Sequence, residues 1–440
     1  MKNFSLKALL IIIYTILITG LIPAQEKLSI TVEEAIDLGL KNSKTLNSSL
    51  ARWKSSEAKL KEVNASRLPS LKVSAGYTRL SKVDPFNITT PFGVFEISPS
   101  ILDNYQTKLT LAQPLFTGFR LKSSSDIAEY SANASQEDFN KDKNELVFNI
   151  RNGYWGLFKA QQIKKVIDEN VLQVNAHLTD AQNLLNQGML TNNDVLKIEV
   201  QYNDALLRQI DANNNLELAM IALNSTMGIP LSTKIEIESS TGKTTEWFDE
   251  VDVLVKRAFD RRSEVKSANY RIQASESGVT LAQSTWYPQI FLFSNLYYSR
   301  PNQRIVPAKD QFKETWDAGV SLSWDVWNWL STSYQTQQAE ANLIQTQEGL
   351  GILKDAITLE VTQNYLTVNQ NTRKIEISEI GVKQAEENMR ITSERFKQGL
   401  TTSSEVIDAE VALLQAKTNY TNSLVDYELS KAKLEKSIGK

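Results

Sequence analysis

Two helix–glycine–helix turns, 211 residues apart, constrain this chain more than any other feature. The second runs Arg395, Phe396, Lys397, Gln398, Gly399, Leu400 and continues through Glu405, Val406, Ile407, Asp408, Ala409 and Glu410. A weaker first copy centres on Gly188 and Met189 and continues through Asp194, Val195 and Leu196. Subtracting 211 superimposes Gly399 on Gly188, Val406 on Val195, Glu410 on Glu199 and Ala416 on Ala205, and carries Tyr365 onto Tyr154 and Leu322 onto Leu111. Self-similarity at a fixed offset marks a chain of two structural repeats. It replaces the two or three globular domains of about 150 residues that a length of 440 alone suggests.

Ahead of the first repeat, Lys2 and Lys7 precede an apolar run from Ala8 to Leu21, followed by Ile22, Pro23 and Ala24 as a cleavage site. This pattern reads as a secretory signal over 1–24. A transmembrane helix is the alternative, but the run falls short of the roughly 20 apolar residues wanted and Tyr14, Thr15 and Thr19 interrupt it. The chain has no cysteine, so export proceeds without disulfides and no thiolate metal site exists. Formal charge is −3, and loss of Lys2 and Lys7 takes it to −5, which gives no sign of nucleic acid as a partner.

Helical periodicity runs from Thr31 to about Ser66, opened by a capping-box pattern at Thr31 and Glu34 and closed at Leu68–Pro69. The matching segment, Phe248 to Trp286, closes at Tyr287–Pro288. Between these helices and the next lies a different period. From Thr315 to Val326, Trp316, Ala318, Val320, Leu322, Trp324 and Val326 alternate strictly with small or polar residues, the pattern of a strand with one apolar and one wet face. Weaker alternation occurs over 70–80 and 104–116, and the segment 289–298 is aromatic and apolar on both faces at its start. The predicted strands are 70–80, 104–116, 289–298 and 315–327, with hairpin tips near Asp84–Pro99 and Arg300–Lys309. Strands of about 9–11 residues suffice to cross a bilayer at a tilt. Trp316, Val320, Leu322 and Trp324 are then the lipid-facing set. An ordinary hairpin packed on helices is the competing reading.

After each hairpin comes a long polar-rich helix, Leu121–Gln187 and Ser331–Gln398, each able to reach about 100 Å at 1.5 Å per residue. Each turns at its glycine and returns, over Asn193–Met227 and Ser404–Ile438. Ala409, Leu413, Ala416, Tyr420, Ser423, Tyr427 and Ser430 follow coiled-coil spacing with small residues that let helices approach closely. The organisation is a first repeat over 25–228, a linker over 229–248 with a short strand at Lys234–Glu238, and a second repeat over 249–440. The fold class is α+β, with long coiled-coil helices and four membrane strands per chain. Four strands cannot close a sheet, and an open edge in lipid leaves backbone groups unsatisfied at several kcal/mol each. An oligomer is therefore required, whether dimer, trimer or tetramer.

Signal segment, doubled helix–hairpin–helix–turn–helix repeats and the acidic helix start after Gly399 together resemble the TolC-like outer-membrane efflux proteins, across essentially the whole chain beyond the signal. The resemblance implies a homotrimer with a twelve-stranded β-barrel and a periplasmic α-barrel in the bacterial outer membrane. It implies a passive duct for efflux or type I secretion, with a periplasmic adaptor of the membrane fusion type and an inner-membrane transporter as partners. It further implies that Glu405 and Asp408 line a channel constriction to which Asp194 adds, and that Arg395, Phe396, Gly399, Leu400, Gly188 and Met189 form adaptor-docking tips. A non-conducting coiled-coil scaffold is the alternative of a different class. No enzyme motif, cofactor loop or metal cluster is visible. His177, the only histidine, reads as a helix-surface residue.

Overall fold

The computed structural model describes residues 28–98, 100–237 and 248–440. The signal segment 1–24 and linker residues 238–247 lie outside the described residues. The chain forms two compact units. One comprises residues up to Ser48, Asn140–Arg262 and Asp355–Lys440, and the other Ser49–Phe139 and Ser263–Lys354.

The second of these units holds a four-stranded antiparallel sheet of β2 (Ser70–Arg79), β5 (Asp103–Phe116), β7 (Gln289–Arg300) and β8 (Lys313–Ser323), in the order β2-β5-β7-β8. Pairings Val73 with Leu109, Leu109 with Leu296, and Leu296 with Trp316 put one row of side chains on one face. Because side chains alternate with a period of two, Leu71, Tyr77, Leu292, Val320 and Leu322 share that face. Ser74, Gln106, Lys108, Asn295, Asp317 and Ser321 stand on the other. β2 and β8 are the sheet's edges, each hydrogen-bonded on one side only among the described residues.

Three features depart from the sequence reading. The tip expected near Asp84–Pro99 contains a further hairpin, β3 (Phe86–Thr90) and β4 (Gly93–Ser98), where Phe92 is 92% exposed. Its Thr90 hydroxyl donates to the Gly93 carbonyl, 3.0 Å away, and closes the turn. The alternation carries the last strand to 327, but β8 ends at Ser323 because its ladder partner β7 begins at Gln289, directly after Pro288, and offers 324–327 no neighbour. The expected single helix from Thr31 is two: α1 (Val32–Asn42) and α2 (Lys44–Ala65). Ser43 at the break is extended, and its hydroxyl accepts from Leu46 N at 3.2 Å, starting the second helix as the first ends.

Both repeats enter their long helix through a left-handed pair. Gly118 and Phe119 have φ of 60° and 69° before α3 (Arg120–Asn186). Trp329 and Leu330, at the same places one repeat later, have 53° and 63° before α7 (Ser331–Lys397). Positive φ is costly for bulky side chains. The same geometry thus recurs at both strand-to-helix junctions, at a cost for Phe119, Trp329 and Leu330 that Gly118 does not bear.

In the other unit, β1 (Leu28–Ile30) pairs in parallel with β6 (Ile235–Ile237). The hydroxyl of fully buried Tyr154 donates to the Ile30 carbonyl at 3.2 Å. Thr31 and Glu34 form a complete capping box at the start of α1. The helix α5 (Val251–Arg261) ends this unit's middle segment at Arg262, whose guanidinium reaches Glu360 at 2.5 Å, and α6 (Ser263–Gln283) follows in the sheet unit. Return helices α4 (Asn192–Met227) and α8 (Ser403–Ser437) complete the repeats. Along α8 the small and aromatic residues Ala409, Ser423, Tyr427 and Ser430 are buried.

Candidate functional site

The sheet unit presents an apolar face with an aromatic group at each end. At the hairpin end, Tyr77 and Tyr105 lie with ring centroids 4.9 Å apart, and Phe312 stacks on Tyr298 at 5.1 Å. Arg300 grips Asp310 through two bonds of 2.6 and 2.9 Å. At the helix end, Phe116, Phe119 and Tyr287 meet edge to face, and the Trp324 indole donates to the Trp286 carbonyl at 3.1 Å. Between these ends Trp316, Val320 and Leu322 are 68%, 62% and 64% exposed on one face of β8. An apolar band with aromatic girdles is the profile of a strand surface in contact with lipid.

The opposite face is wet. Asn295, which is buried, donates to Asp317 at 2.7 Å and accepts from the Thr110 hydroxyl at 2.9 Å. The connection from β7 to β8 folds back over this face. Buried Asn302 donates to the Lys313 carbonyl, and Arg304 donates to the Trp316 carbonyl at 2.9 Å and meets Asp317 at 3.3 Å.

The two glycine turns lie together in the other unit. At each, a glycine takes the left-handed conformation, with φ of 75° at Gly188 and 69° at Gly399. Gly399 N donates to Phe396 O at 2.8 Å and Leu400 N to Arg395 O at 2.9 Å; Gly188 and Met189 repeat the pattern on Leu185 and Leu184. These are Schellman closures, which satisfy the last carbonyls of α7 and α3. Leu400 and Met189 are exposed. Phe396, expected on the docking surface, is instead 2% exposed within a core of Ala181, Leu184, Val195, Ile198, Met389, Val406 and Ala409. Its ring belongs inside because Met389 stands seven residues earlier, two helical turns back, so the two share the face of α7 that packs on the neighbouring helices.

The candidate carboxylates differ from one another. Thr402 caps α8 by accepting from Glu405 N at 3.3 Å, while the Glu405 side chain is exposed, as is Asp408 one turn on. Asp194 is occupied: the Thr191 hydroxyl and backbone N–H donate to it at 2.6 and 3.2 Å in a capping box. The Thr191 side-chain hydrogen bond, then the backbone one, hold its carboxyl below the usual range.

Read singly, His177 belongs on the helix surface, and the structure buries it at 6% exposure. Val174, His177, Ala181 and Leu184 are all buried at a spacing of 3, 4 and 3, the inward stripe of α3. Glu410 of α8, fully buried, faces it with Nδ1 and Oε1 3.3 Å apart. The Phe396 ring and the imidazole stand perpendicular, with centroids 4.8 Å apart.

The outer membrane efflux protein family model matches residues 35–229 and 254–440. Outer membrane protein TolC of Vibrio cholerae is 20% identical over 315 residues, which cover 71% of this chain and 72% of that protein. The alkaline protease secretion protein AprF of Pseudomonas aeruginosa is 21% identical over 341 residues, 76% of this chain and 69% of the relative. Among solved structures, the outer membrane protein VceC of Vibrio cholerae superimposes with a TM-score of 0.79 at 18% identity, covering 93% of this chain and 96% of that one.

Proposed function

This chain belongs to the outer membrane efflux protein family, and from that premise we propose that it is the outer-membrane duct of a tripartite export system, carrying small molecules or proteins passively from periplasm to exterior. It is an outer-membrane protein and no enzyme. The observation that carries the proposal is the two-faced sheet with open edges at β2 and β8. A sheet of four strands cannot stay open in lipid. Three copies supply twelve strands, enough to enclose a wet lumen lined by the face that bears Lys108, Asn295 and Asp317.

At the turns, Glu405 and Asp408 lie three residues apart on the first turns of α8 and so share a face. In a trimer they form rings of three plus three carboxylates at a periplasmic mouth, which admit cations and repel anions. Asp194, tied into its cap, contributes charge to the mouth without mobility. Exposed Leu400 and Met189 at the glycine turns offer the surface for a periplasmic adaptor, together with Arg395, whose guanidinium donates to the Leu400 carbonyl at 3.4 Å. The adaptor links the duct to an inner-membrane transporter. AprF, named for protease secretion, and the efflux family model support both cargo classes.

Planar-bilayer recording on purified protein, with SDS electrophoresis of unheated samples, tests the reading. Heat-sensitive trimers that conduct ions are expected. A monomer that never conducts would replace the duct with a coiled-coil scaffold.

A further inference from the structure

The pair His177 and Glu410 has no part in the duct as described, yet it is the most polar feature of the core beneath the two turns. Both residues are buried, and neither ring nitrogen nor either carboxylate oxygen makes a hydrogen bond among the described residues. The two groups nevertheless lie 3.3 Å apart. His177 borders a cleft of about 360 Å³. The charged groups around it are Asp180 on α3 and Glu386, Arg390, Glu394 and Lys397 on α7. From α8, Glu410 alone is both charged and buried beside it; α4 contributes the apolar Val195 and Ile198 to this core.

Burial makes the pair sensitive to how many protons it holds. With one proton the pair is neutral overall, and the proton can bridge imidazole and carboxylate. With two protons a buried cation stands without its counter-charge, and with none a buried carboxylate does. Both of the latter are costly for groups withdrawn from water. The surrounding cleft charges are largely exposed, so water and salt screen them. The duplication sharpens the contrast. One repeat away, Glu410 maps to partly buried Glu199 and His177 to exposed Asn388, so this pairing exists at only one of the two turns.

We propose that His177 and Glu410 form a proton-counting latch that seats the first turns of α8 on α3 and thereby sets the position of Glu405 and Asp408. The latch holds at one shared proton. Acid adds the second proton, alkali removes the first, and either change favours opening the pair toward water. Glu410 follows Asp408 by two residues on the same helix, so the acidic face moves with it. The consequence for conduction rests on reading those carboxylates as the mouth; the latch itself does not.

Hydrogen exchange of the intact detergent-solubilised protein tests this, read as protection of amides 403–413 normalised for the intrinsic rate, from about pH 5 to about pH 8. A maximum with at least about tenfold loss toward one or both ends is expected, tenfold being the effect of one pK unit of differential interaction. The apolar double variant His177→Phe with Glu410→Leu, which removes both ionisable groups and keeps the core filled, should flatten the profile to within about threefold, whereas Glu410→Gln should remove only the loss toward alkali. Glu199→Gln should keep the wild-type profile. Flat protection in the wild type, or an unchanged profile in the double variant, overturns the latch. A pH-dependent profile with channel selectivity unaltered over the same range sustains the latch and instead removes the mouth assignment of Glu405 and Asp408.

Discussion

Gly399 and Met189 meet across the two turns: a Cβ placed on Gly399 would lie 3.0 Å from the Met189 Cε. The contact is with the far end of a flexible side chain, which can swing away. The backbone is the stronger constraint, because φ at Gly399 is 69°.

Gly399→Ala is therefore expected to destabilise by about 1–2 kcal/mol through the left-handed backbone alone, and Gly399→Asn by less, because asparagine tolerates that conformation. Denaturant unfolding of the two variants checks the order. Leu400→Asp should leave trimers intact while abolishing cross-linking to an adaptor. Normal cross-linking in that variant would move the docking surface away from this turn.

Arginine at Val320 or Leu322 is expected to impair barrel assembly, at a cost near 2–4 kcal/mol at the bilayer midplane. Arginine at Ser321 should be tolerated, since the register turns that position to the wet face. Yields of folded trimer in the outer membrane distinguish them, and equal yields at all three positions would remove the lipid-facing assignment.

Thr191→Ala removes a side chain that accepts from Asp194 N and donates to its carboxylate, and should cost about 1 kcal/mol of local stability. The sign with pH follows from the lowered carboxyl of Asp194. Its contribution is present above the carboxyl's unfolded value and is lost as pH falls through the folded one. Exchange of amides 192–198, normalised for the intrinsic rate, should then rise on acidification in the wild type and be high already in Thr191→Ala. An identical acid response in both would show that the cap is not the cause.

Glu405→Ala with Asp408→Ala should weaken cation preference, most at low salt, with little change in trimer stability. Like charges about 4 Å apart repel by about 1 kcal/mol in water, and physiological salt screens them over roughly 8 Å. Divalent cations applied from the periplasmic side should block the native channel and block the double variant poorly. Reversal potentials across a salt gradient and single-channel block measure both effects. Unchanged values would leave the two carboxylates as helix-start residues only.

The helix-and-strand make-up and the alternation in β8 are legible in the chain because they rest on periodicity, which each strand or helix carries within its own sequence. What stays hidden depends on partners far along the chain. Trp324 continues the alternation, yet it lies outside the strand because β7 offers it no neighbour. Ser43 breaks a helical pattern without glycine or proline, by capping through its hydroxyl. Phe396 and His177 look like surface residues only while each is read singly. The spacing Val174, His177, Ala181, Leu184 turns His177 inward, but nothing in that stripe points to Glu410, which belongs to another helix far along the chain.

The pairing of β5 with β7 joins one repeat to the other, and the duplication makes β8 the counterpart of β5 and β2 the counterpart of β7. In the proposed ring, the seam inside the chain is thus the template for the seam between copies. Leu109 opposite Leu296 translates into Val320 opposite Tyr77 of an adjacent copy. In a protein without native cysteines, Val320→Cys combined with Tyr77→Cys should lock neighbouring subunits into a covalent ring on oxidation.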